Sequence, residues 1–287
     1  FVIGKRHFLQ NKPCQDHALH ESFGDVHCIV ISDGCSSGRH TDIGARIITC
    51  SVMKIIKEIV NEPYDVRTLP QIIHQRLKHA SRISREMLDC INDDMLATCV
   101  YAVITPKGGF IHMLGDGCAG LQFTDGSLRL YQTTWQHNMP YYVADTREQA
   151  FIQEHVARQL PEDPYPLTIH HHAITETVIE THTTGKLGIN DAITGYLIPL
   201  SLEKLLSIQS IFITSDGIQD FKTSGGILEN PLEVMKQLSM VKVWNGEFIK
   251  RRLSRTLLNY TKQDIHPYDD ISVAAIHIDH SLNQLIS

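Results

Sequence analysis

Several features that identify other classes of protein are missing from this sequence. No apolar run approaches the ~20 residues of a membrane-spanning helix, and no signal-peptide pattern stands at the amino terminus. The 7 cysteines are an odd number and none forms a C-x-x-C pair, which disfavours a disulfide framework and favours a reducing compartment. No linker-like stretch or internal repeat divides the chain. We therefore expect one cytoplasmic domain over residues 1–287, without membrane association.

An excess of positive charge is also missing. The chain has 26 basic and 32 acidic residues, a net charge of −6, and the basic residues are dispersed. The densest basic group is Lys250-Arg251-Arg252 with Arg255, and it falls on a predicted amphipathic helix. We interpret it as a solvated helix face. A nucleic-acid partner is therefore not expected.

Motifs of several other catalytic classes are absent as well. The chain has no G-x-x-x-x-G-K-[ST] phosphate loop and no C-x5-R phosphatase loop. Asp33-Gly34-Cys35 stands where a haloacid-dehalogenase-type phosphatase would need Asp-x-Asp. The run His170-His171-His172 could suggest zinc, but adjacent residues on a strand point in different directions. We interpret that run as part of a polar flap.

Short runs rich in β-branched residues, mostly flanked by turn residues, predict strands. They cover residues 27–32, 98–105, 109–114, 119–123, 210–214 and 271–278. We expect residues 109–131 to form a meander, with a hairpin turn at 124–127.

Apolar residues at helical spacing predict four helices. One stripe runs from Ile43 to Val60 and a second from Ile72 to Ile91, while the two others follow Asn230-Pro231 and cover residues 249–260. Two adjacent helices between strands argue against a regular βαβ alternation and favour an α+β layered fold. Residues 133–199 are rich in His, Thr and Pro, and we expect them to form a flap-like segment over an opening of the core.

Aspartates at the ends of predicted strands are the most informative feature of the chain. Asp33, Asp116 and Asp216 each follow an apolar run and precede glycine, and Asp269-Asp270 directly precede another run. A single Asp-Gly pair is a common turn dipeptide, and Asp125-Gly126 is interpreted as one. Several carboxylates at one end of a sheet are costly without counter-charges, and few Arg or Lys residues stand beside them in sequence. Mg²⁺ or Mn²⁺ would supply the missing charge.

Five short motifs carry a family resemblance when they are taken in order. They are Gln15-Asp16, Asp33-Gly34 with Ser36-Ser37-Gly38, Gly115-Asp116-Gly117, Ser215-Asp216-Gly217 and Asp269-Asp270-Ile271-Ser272-Val273. This set resembles the metal-dependent protein phosphatases, the PPM or type 2C Ser/Thr phosphatases, and the opening residues 4–16 resemble a bacterial branch of that family. The resemblance implies a four-layer α-β-β-α sandwich, in which two antiparallel sheets are flanked by helix pairs.

The resemblance also implies a two-metal centre between the sheets. Asp33 would bridge both Mg²⁺ or Mn²⁺ ions, the Gly34 carbonyl would bind one of them, and Asp216 and Asp269 would complete the other. Asp116 matches the position of a third, weaker metal. The metals would activate water for attack on a phosphoserine or phosphothreonine of a partner protein, in opposition to a Ser/Thr kinase. We expect the protein to act as a monomer.

The sequence departs from this family at two places. Gln15 stands where many members have Glu, and since an amide cannot replace a carboxylate's charge, Asp16 or a water is expected to hold that metal. Some members carry a histidine shortly after Asp33, and His40 is the candidate substitute as general acid. Arg6, together with His7 and Lys12, is a candidate to steer the phosphate. Gln15 also keeps an alternative open, in which the chain is a catalytically weak pseudophosphatase that acts as a binding module.

Overall fold

Two antiparallel β-sheets stack face to face at the centre of the computed structural model, which describes residues 1–175 and 178–280. The smaller sheet has the strand order β1-β2-β3-β4-β9. Its strands are β1 (Asp16–Phe23), β2 (Val26–Asp33), β3 (Cys99–Thr105), β4 (Gly108–Leu114) and β9 (Tyr196–Leu200).

The larger sheet has the strand order β13-β10-β5-β6-β7-β8. Its strands are β5 (Gly117–Phe123), β6 (Leu128–Trp135), β7 (Leu167–Thr175), β8 (Val178–Leu187), β10 (Ile208–Thr214) and β13 (Val273–His277). A separate small hairpin pairs β11 (Phe221–Thr223) with β12 (Ile265–Pro267).

A pair of helices covers the outer face of each sheet, so the predicted four-layer sandwich is confirmed. The pair on the smaller sheet is α2 (Thr41–Ile59) and α3 (Leu69–Met87), and the pair on the larger sheet is α7 (Pro231–Ser239) and α8 (Phe248–Thr261). The Asn230 side chain accepts a hydrogen bond of 2.9 Å from the Leu232 amide and so caps α7 as predicted. The shorter helices are α1 (Lys5–Leu9), α4 (Glu148–Arg158), α5 (Ile189–Ala192) and α6 (Leu202–Ser207).

Strand β2 shows why the central strands read as continuous apolar runs. Cys28 and Val30 pack against α2 and α3, whereas Ile29 and Ile31 pack between the two sheets. A strand that is covered on both faces has no need of a polar alternation. Each such isoleucine contributes roughly 2 kcal/mol of transfer free energy when it is fully buried. The layers are therefore fixed by apolar packing, and the polar ends of the strands remain free for other roles.

The predicted meander over residues 109–131 is wrong in its first half. Strands β4 and β5 follow one another in sequence but belong to different sheets, because the chain crosses between the layers at Gly115 and Asp116. Gly115 has φ +90°, a conformation that favours glycine, and this allows the abrupt change of direction. The second half is a hairpin of β5 and β6, whose Asp125-Gly126 turn is confirmed by a 2.8 Å hydrogen bond from the Ser127 amide to Asp125 Oδ1.

The apolar stripe predicted from Ile72 to Ile91 is buried only in its first half. Ile73 and Leu77 are fully buried against the smaller sheet, but Ile83 and Met87 are exposed and Ile91 lies beyond the end of α3. The helix continues past the edge of its sheet, so helical spacing alone overestimated the buried length.

Residues 133–199, predicted as a flap-like segment, divide into three parts in the structure. Residues 137–158 form a loop followed by α4. Strands β7 and β8 extend the larger sheet, and β9 adds a strand to the smaller one. Residues 176–177 of this segment lie outside the described residues. Among residues 1–175 and 178–280, no helix combines the length and apolar character needed to cross a bilayer.

Candidate functional site

Four of the predicted aspartates line one cavity of about 370 Å³ at an edge of the sandwich. Asp33 ends β2, Asp116 lies in the crossing between β4 and β5, Asp216 follows β10, and Asp269 precedes β13. Arg6, from the short helix α1, lines the same cavity. Gly34 lines the cavity as well, so six of the residues predicted from sequence are brought together by the fold.

Strand direction explains why these carboxylates meet. In the smaller sheet, β3 is antiparallel to both β2 and β4, so β2 and β4 run in the same direction and end at the same edge. In the larger sheet, Thr214 at the end of β10 pairs with Val273 at the start of β13, which places Asp216 beside Asp269 and Asp270. Gly217 is needed here for close approach, since a Cβ on it would lie 1.8 Å from the Asp270 carbonyl oxygen.

Asp16 adds a fifth carboxylate behind the cavity. It pairs with Asp33 across β1 and β2, and it is buried with 3% of its surface exposed. Ser215 donates a hydrogen bond of 2.7 Å to Asp16 Oδ2, while Asp16 Oδ1 has no hydrogen-bond partner. The motif of Asp16 therefore contacts the motif of Ser215 and Asp216, although Asp16 and Ser215 are 199 residues apart in the sequence.

The carboxylates of this cluster oppose one another's ionisation. Burial, followed by the negative charges of Asp16 and Asp216, raises the pKa of Asp33 well above its usual range. Burial and the charge of Asp216 raise the pKa of Asp116 to about 8. The pKa of Asp16 is raised to about 7, chiefly by burial, although hydrogen bonds with Asp33 and Ser215 act in the opposite direction. Burial likewise raises the pKa of Asp216. As it stands, the cluster needs protons or cations to be stable at neutral pH.

Asp270 behaves differently because it is fully partnered. It accepts hydrogen bonds from the backbone amides of Gly4 (2.7 Å) and Gln15 (2.6 Å), and His7 Nδ1 lies 2.9 Å from its Oδ2 atom. Burial alone would raise the pKa of Asp270, but these three contacts lower it. Asp270 is therefore the anchor that ties α1 and the start of β1 to the cavity, rather than a free ligand.

Arg6, predicted from sequence as a candidate to steer the phosphate, provides a cation at the cavity. Its guanidinium donates to Asp269 Oδ2, and Asp269 Oδ1 in turn accepts a 3.0 Å hydrogen bond from the Asp270 amide. The expectation that few basic groups stand beside the acidic motifs therefore needs correction, since α1 folds back over residues distant in sequence. The Arg6 side chain is 43% exposed at the rim of the cavity and could turn toward an anion.

Gln15, the main departure from the family pattern, is hydrogen-bonded to Thr41 at the start of α2. Its Nε2 atom donates a 2.7 Å hydrogen bond to Thr41 Oγ1, and that hydroxyl donates to the Cys35 carbonyl at 3.0 Å. Gln15 Oε1 is buried without a partner. The amide thus braces the loop that follows Asp33.

Whether the cavity fits a pair of hard cations can be judged from its donor atoms. Oxygen is the ligand that Mg²⁺ and Mn²⁺ prefer, and Asp16 Oδ1 and Asp216 Oδ1 are buried without hydrogen-bond partners. Asp33 lies within hydrogen-bonding reach of both these residues. In residues 1–175 and 178–280, no three Asp, Glu, His or Cys side chains already stand as a finished coordination shell. The donor atoms therefore fit these cations in kind.

His40 is the predicted site residue that the structure does not bring to the cavity. It is exposed directly before α2 and does not line the cavity with the aspartates. Residues 34–38 turn the chain so that Gly34, Ser36 and Ser37 face the cavity and His40 faces solvent. A role for it as general acid is not supported by this position.

The loop 34–38 also spells G-x-S-x-G, the pattern of the serine-hydrolase nucleophile. Ser36 is exposed, and within the described part of the chain no histidine bonds its hydroxyl. A serine nucleophile needs such a base, so we do not interpret Ser36 as one.

Residues 137–142 form a wall of the cavity that sequence reasoning did not specify. His137, Asn138, Pro140 and Tyr142 face the aspartates, and Asn138, Pro140 and Tyr142 also line a neighbouring cavity of about 290 Å³ beside α4. Burial, and then the nearby Cys35 and Asp116, raise the pKa of Tyr142, so its hydroxyl stays protonated as a donor. No local pattern marks these residues, whereas Ser215 could have been found from its place in the fourth motif.

Comparison with known proteins agrees with this fold. The family model of protein phosphatase 2C matches residues 3–257. The serine/threonine phosphatase Stp1 from Staphylococcus aureus has a similar structure, with 13% identity, a TM-score of 0.56 and coverage of 97% of this chain and 93% of that one. A serine/threonine phosphatase from S. agalactiae gives 14% identity, a TM-score of 0.53 and 96% coverage of both chains. At such identities these two structures establish the fold alone. No curated protein matches the chain in sequence.

Proposed function

The chain belongs to the protein phosphatase 2C family, and we propose that it hydrolyses phosphoserine and phosphothreonine on protein substrates with the help of two Mg²⁺ or Mn²⁺ ions. The family is metal-dependent and acts on phosphorylated proteins. The observation that carries the proposal is the cluster of Asp16, Asp33, Asp116 and Asp216, whose pKa values are all raised by burial and by the negative charge of neighbouring carboxylates.

The residues that would hold the ions are those with oxygen atoms available in the cavity. We assign this role to Asp33 with the Gly34 carbonyl, to Asp216 and Asp269, and to Asp116 for a weaker third ion. Asp16, rather than Gln15, would supply the carboxylate of the first motif, because the Gln15 amide is engaged with Thr41. When bound, such ions lower the pKa of a coordinated water and neutralise charge on the phosphoryl oxygens.

Other residues of the chain would bind and orient the substrate. Arg6 would release Asp269 and bind the phosphate dianion, since a guanidinium matches two phosphate oxygens. The Tyr142 hydroxyl, which stays protonated, would donate to the substrate from the opposite wall. Asp270 keeps α1 in place through the amides of Gly4 and Gln15, so that Arg6 remains at the rim.

Two features of the site favour a second candidate function. Gln15 is neutral, and Arg6 already pairs with Asp269, so the cavity could retain phosphoprotein binding with little turnover. In that case the chain would act as a pseudophosphatase. The retained set of aspartates favours catalysis over this alternative.

The test measures hydrolysis of p-nitrophenyl phosphate and of a phosphothreonine peptide with Mn²⁺, for the wild type and for Asp216→Asn and Asp269→Asn. Asp125→Asn, in the hairpin turn, is the matched control. We expect metal-dependent turnover that falls by about 10²-fold or more in the two cavity variants and is unchanged in the control. Absent turnover in a folded, Mn²⁺-bound wild type would favour the pseudophosphatase.

A further inference from the structure

The run His170-His171-His172, which the phosphatase site does not use, is divided by the larger sheet. It lies in the middle of β7, so His170 and His172 point to one face and His171 to the other. On the first face, His172 Nδ1 lies 2.9 Å from the Thr181 hydroxyl. The triple run itself therefore cannot converge on one ion.

The opposite face, however, brings in a histidine from the next strand. His171 on β7 pairs directly with His182 on β8. Their rings meet edge to face with centroids 4.8 Å apart, and His171 Nδ1 lies 3.1 Å from His182 Nε2. Two imidazole nitrogens thus point at one another at the surface of the sheet.

We propose that His171 and His182 form a binding site for a borderline transition-metal ion such as Zn²⁺, Cu²⁺ or Ni²⁺, separate from the aspartate cavity. Imidazole is a preferred ligand of these ions, whereas Mg²⁺ and Mn²⁺ prefer oxygen. Two nitrogens that bind one tetrahedral Zn²⁺ lie about 3.3 Å apart, given Zn–N bonds of about 2.05 Å. The observed separation of 3.1 Å is close to this value, so the ion would take the place of the N–H between the rings, and the donor ring would carry its proton on its other nitrogen instead.

The surroundings of His171 hold its ring in place and keep it neutral. Tyr131 stacks on the His171 ring at 5.0 Å and 14°, which holds the ring in place. Burial, and then the charge of His182, lower the pKa of His171, so this ring is neutral at pH 7 and has a lone pair to offer. Glu180, two residues before His182 on the same strand, adds negative charge, but the positive charge of Arg129 on β6 acts more strongly on the His171 ring and opposes a cation. Since no third protein ligand stands ready in residues 1–175 and 178–280, water would complete the shell.

The position of the pair predicts what the ion would do. Strands β7 and β8 form the end of the larger sheet furthest from β13, and among the described strands β8 pairs with β7 alone. A metal held by one histidine from each strand would cross-link this edge hairpin. The ion would therefore raise the stability of the folded protein without entering the phosphatase site.

The experiment uses the full chain with excess Mg²⁺, which occupies oxygen-rich sites. Ni²⁺ binding is measured by calorimetry, and Cu²⁺ binding by electron paramagnetic resonance, where nitrogen hyperfine splitting reports imidazole ligands. His182→Gln removes one ligand from an exposed position, and His170→Gln is the matched control on the other face of β7. Loss of even a second-shell partner costs a metal site 10- to 100-fold, so His182→Gln should weaken Ni²⁺ binding by at least about tenfold.

The control variant should bind Ni²⁺ as the wild type does, and two-nitrogen splitting should be present in both but absent from His182→Gln. The melting temperature should rise with Ni²⁺ in the wild type and not in His182→Gln. Equal Ni²⁺ affinity in His182→Gln and the wild type would overturn the proposal, as would an equal loss in His170→Gln. Both variants leave the aspartate cavity untouched, so failure of this site says nothing against the phosphatase.

Discussion

The Ser215 hydroxyl donates a hydrogen bond of 2.7 Å to Asp16 Oδ2 and, through the same oxygen, accepts one of 3.0 Å from the Ser272 amide. Ser215 follows β10, Asp16 begins β1, and Ser272 precedes β13, so one side chain joins both sheets behind the cavity. The Ser215 hydroxyl, which is not itself a candidate metal ligand, therefore holds the carboxylate cluster in place.

Ser215→Ala should lower the free energy of unfolding by about 1–3 kcal/mol, because it leaves a buried carboxylate oxygen without its donor. Urea unfolding of the metal-free protein measures the change. Ser210→Ala is the matched control: Ser210 is also fully buried on β10, but its hydroxyl has no partner. An equal loss of stability in both variants would show that the Asp16 contact contributes nothing particular.

The metal-free protein should lose stability as the pH rises from 6 to 8. The folded-state pKa values of Asp16 and Asp116 are raised to about 7 and about 8, above the ordinary value near 3.8. Their protonated forms therefore favour the fold fully below about pH 4, and that stability is lost as the pH rises through 7 and 8. We expect a fall of more than about 1 kcal/mol in chelator, which Mn²⁺ removes.

Asp116→Asn serves as the reference for this pH dependence, since other titrating groups are common to both proteins. The variant should show a smaller fall between pH 6 and pH 8 in urea titrations than the wild type. Identical pH profiles in chelator would mean that Asp116 is not held protonated by the cluster.

Gln15→Glu should have opposite effects with and without metal. A carboxylate cannot donate to Thr41 Oγ1 as Gln15 Nε2 does at 2.7 Å, and it adds negative charge near Asp16, so the metal-free protein should be less stable. The same charge should tighten Mn²⁺ binding by about tenfold. Calorimetry with Mn²⁺ measures this, with the exposed Gln75→Glu as control. Unchanged Mn²⁺ affinity would mean that position 15 does not reach the metal centre.

Glu148 links the wall of the cavity to the rest of the fold. It accepts a 2.7 Å hydrogen bond from the Tyr141 hydroxyl and pairs with Lys78 of α3. Burial opposes its ionisation, but the bonds from Lys78 and Tyr141 lower the pKa of Glu148 overall. Glu148→Gln weakens this tie and should raise the KM for a phosphopeptide while leaving kcat for p-nitrophenyl phosphate unchanged. Its cost in stability should be below about 1 kcal/mol, since the ion pair is partly exposed.

Glu247→Gln, which breaks an exposed pair with Lys250 on α8, is the control for that measurement. An equal KM for the phosphopeptide in the wild type, Glu148→Gln and Glu247→Gln would mean that residues 137–158 do not take part in peptide recognition. A parallel loss on both substrates would instead indicate a general disturbance of the cavity.

Much of the site was open to prediction from sequence because its signals are local. An apolar run followed by Asp-Gly describes the end of a buried strand at Asp33, Asp116 and Asp216. Together with Gln15-Asp16 and Asp269-Asp270, these motifs in order indicated the family and the cluster of carboxylates. The helix start at Asn230 and the turn at Asp125 follow from the preferences of single residues. None of these inferences depended on knowing which strands are neighbours.

The tertiary structure decided what depends on contacts between distant segments. Only the stacked sheets show that β4 and β5 separate at Gly115, that Arg6 reaches Asp269, and that Ser215 meets Asp16. His40, adjacent in sequence to the motif of Asp33, is directed to solvent, while His182 comes to face His171 through strand pairing. The sequence determines which side chains are available, since composition and local pattern are read residue by residue. The packing of the layers determines which of these side chains meet, because that packing depends on contacts made along the whole chain.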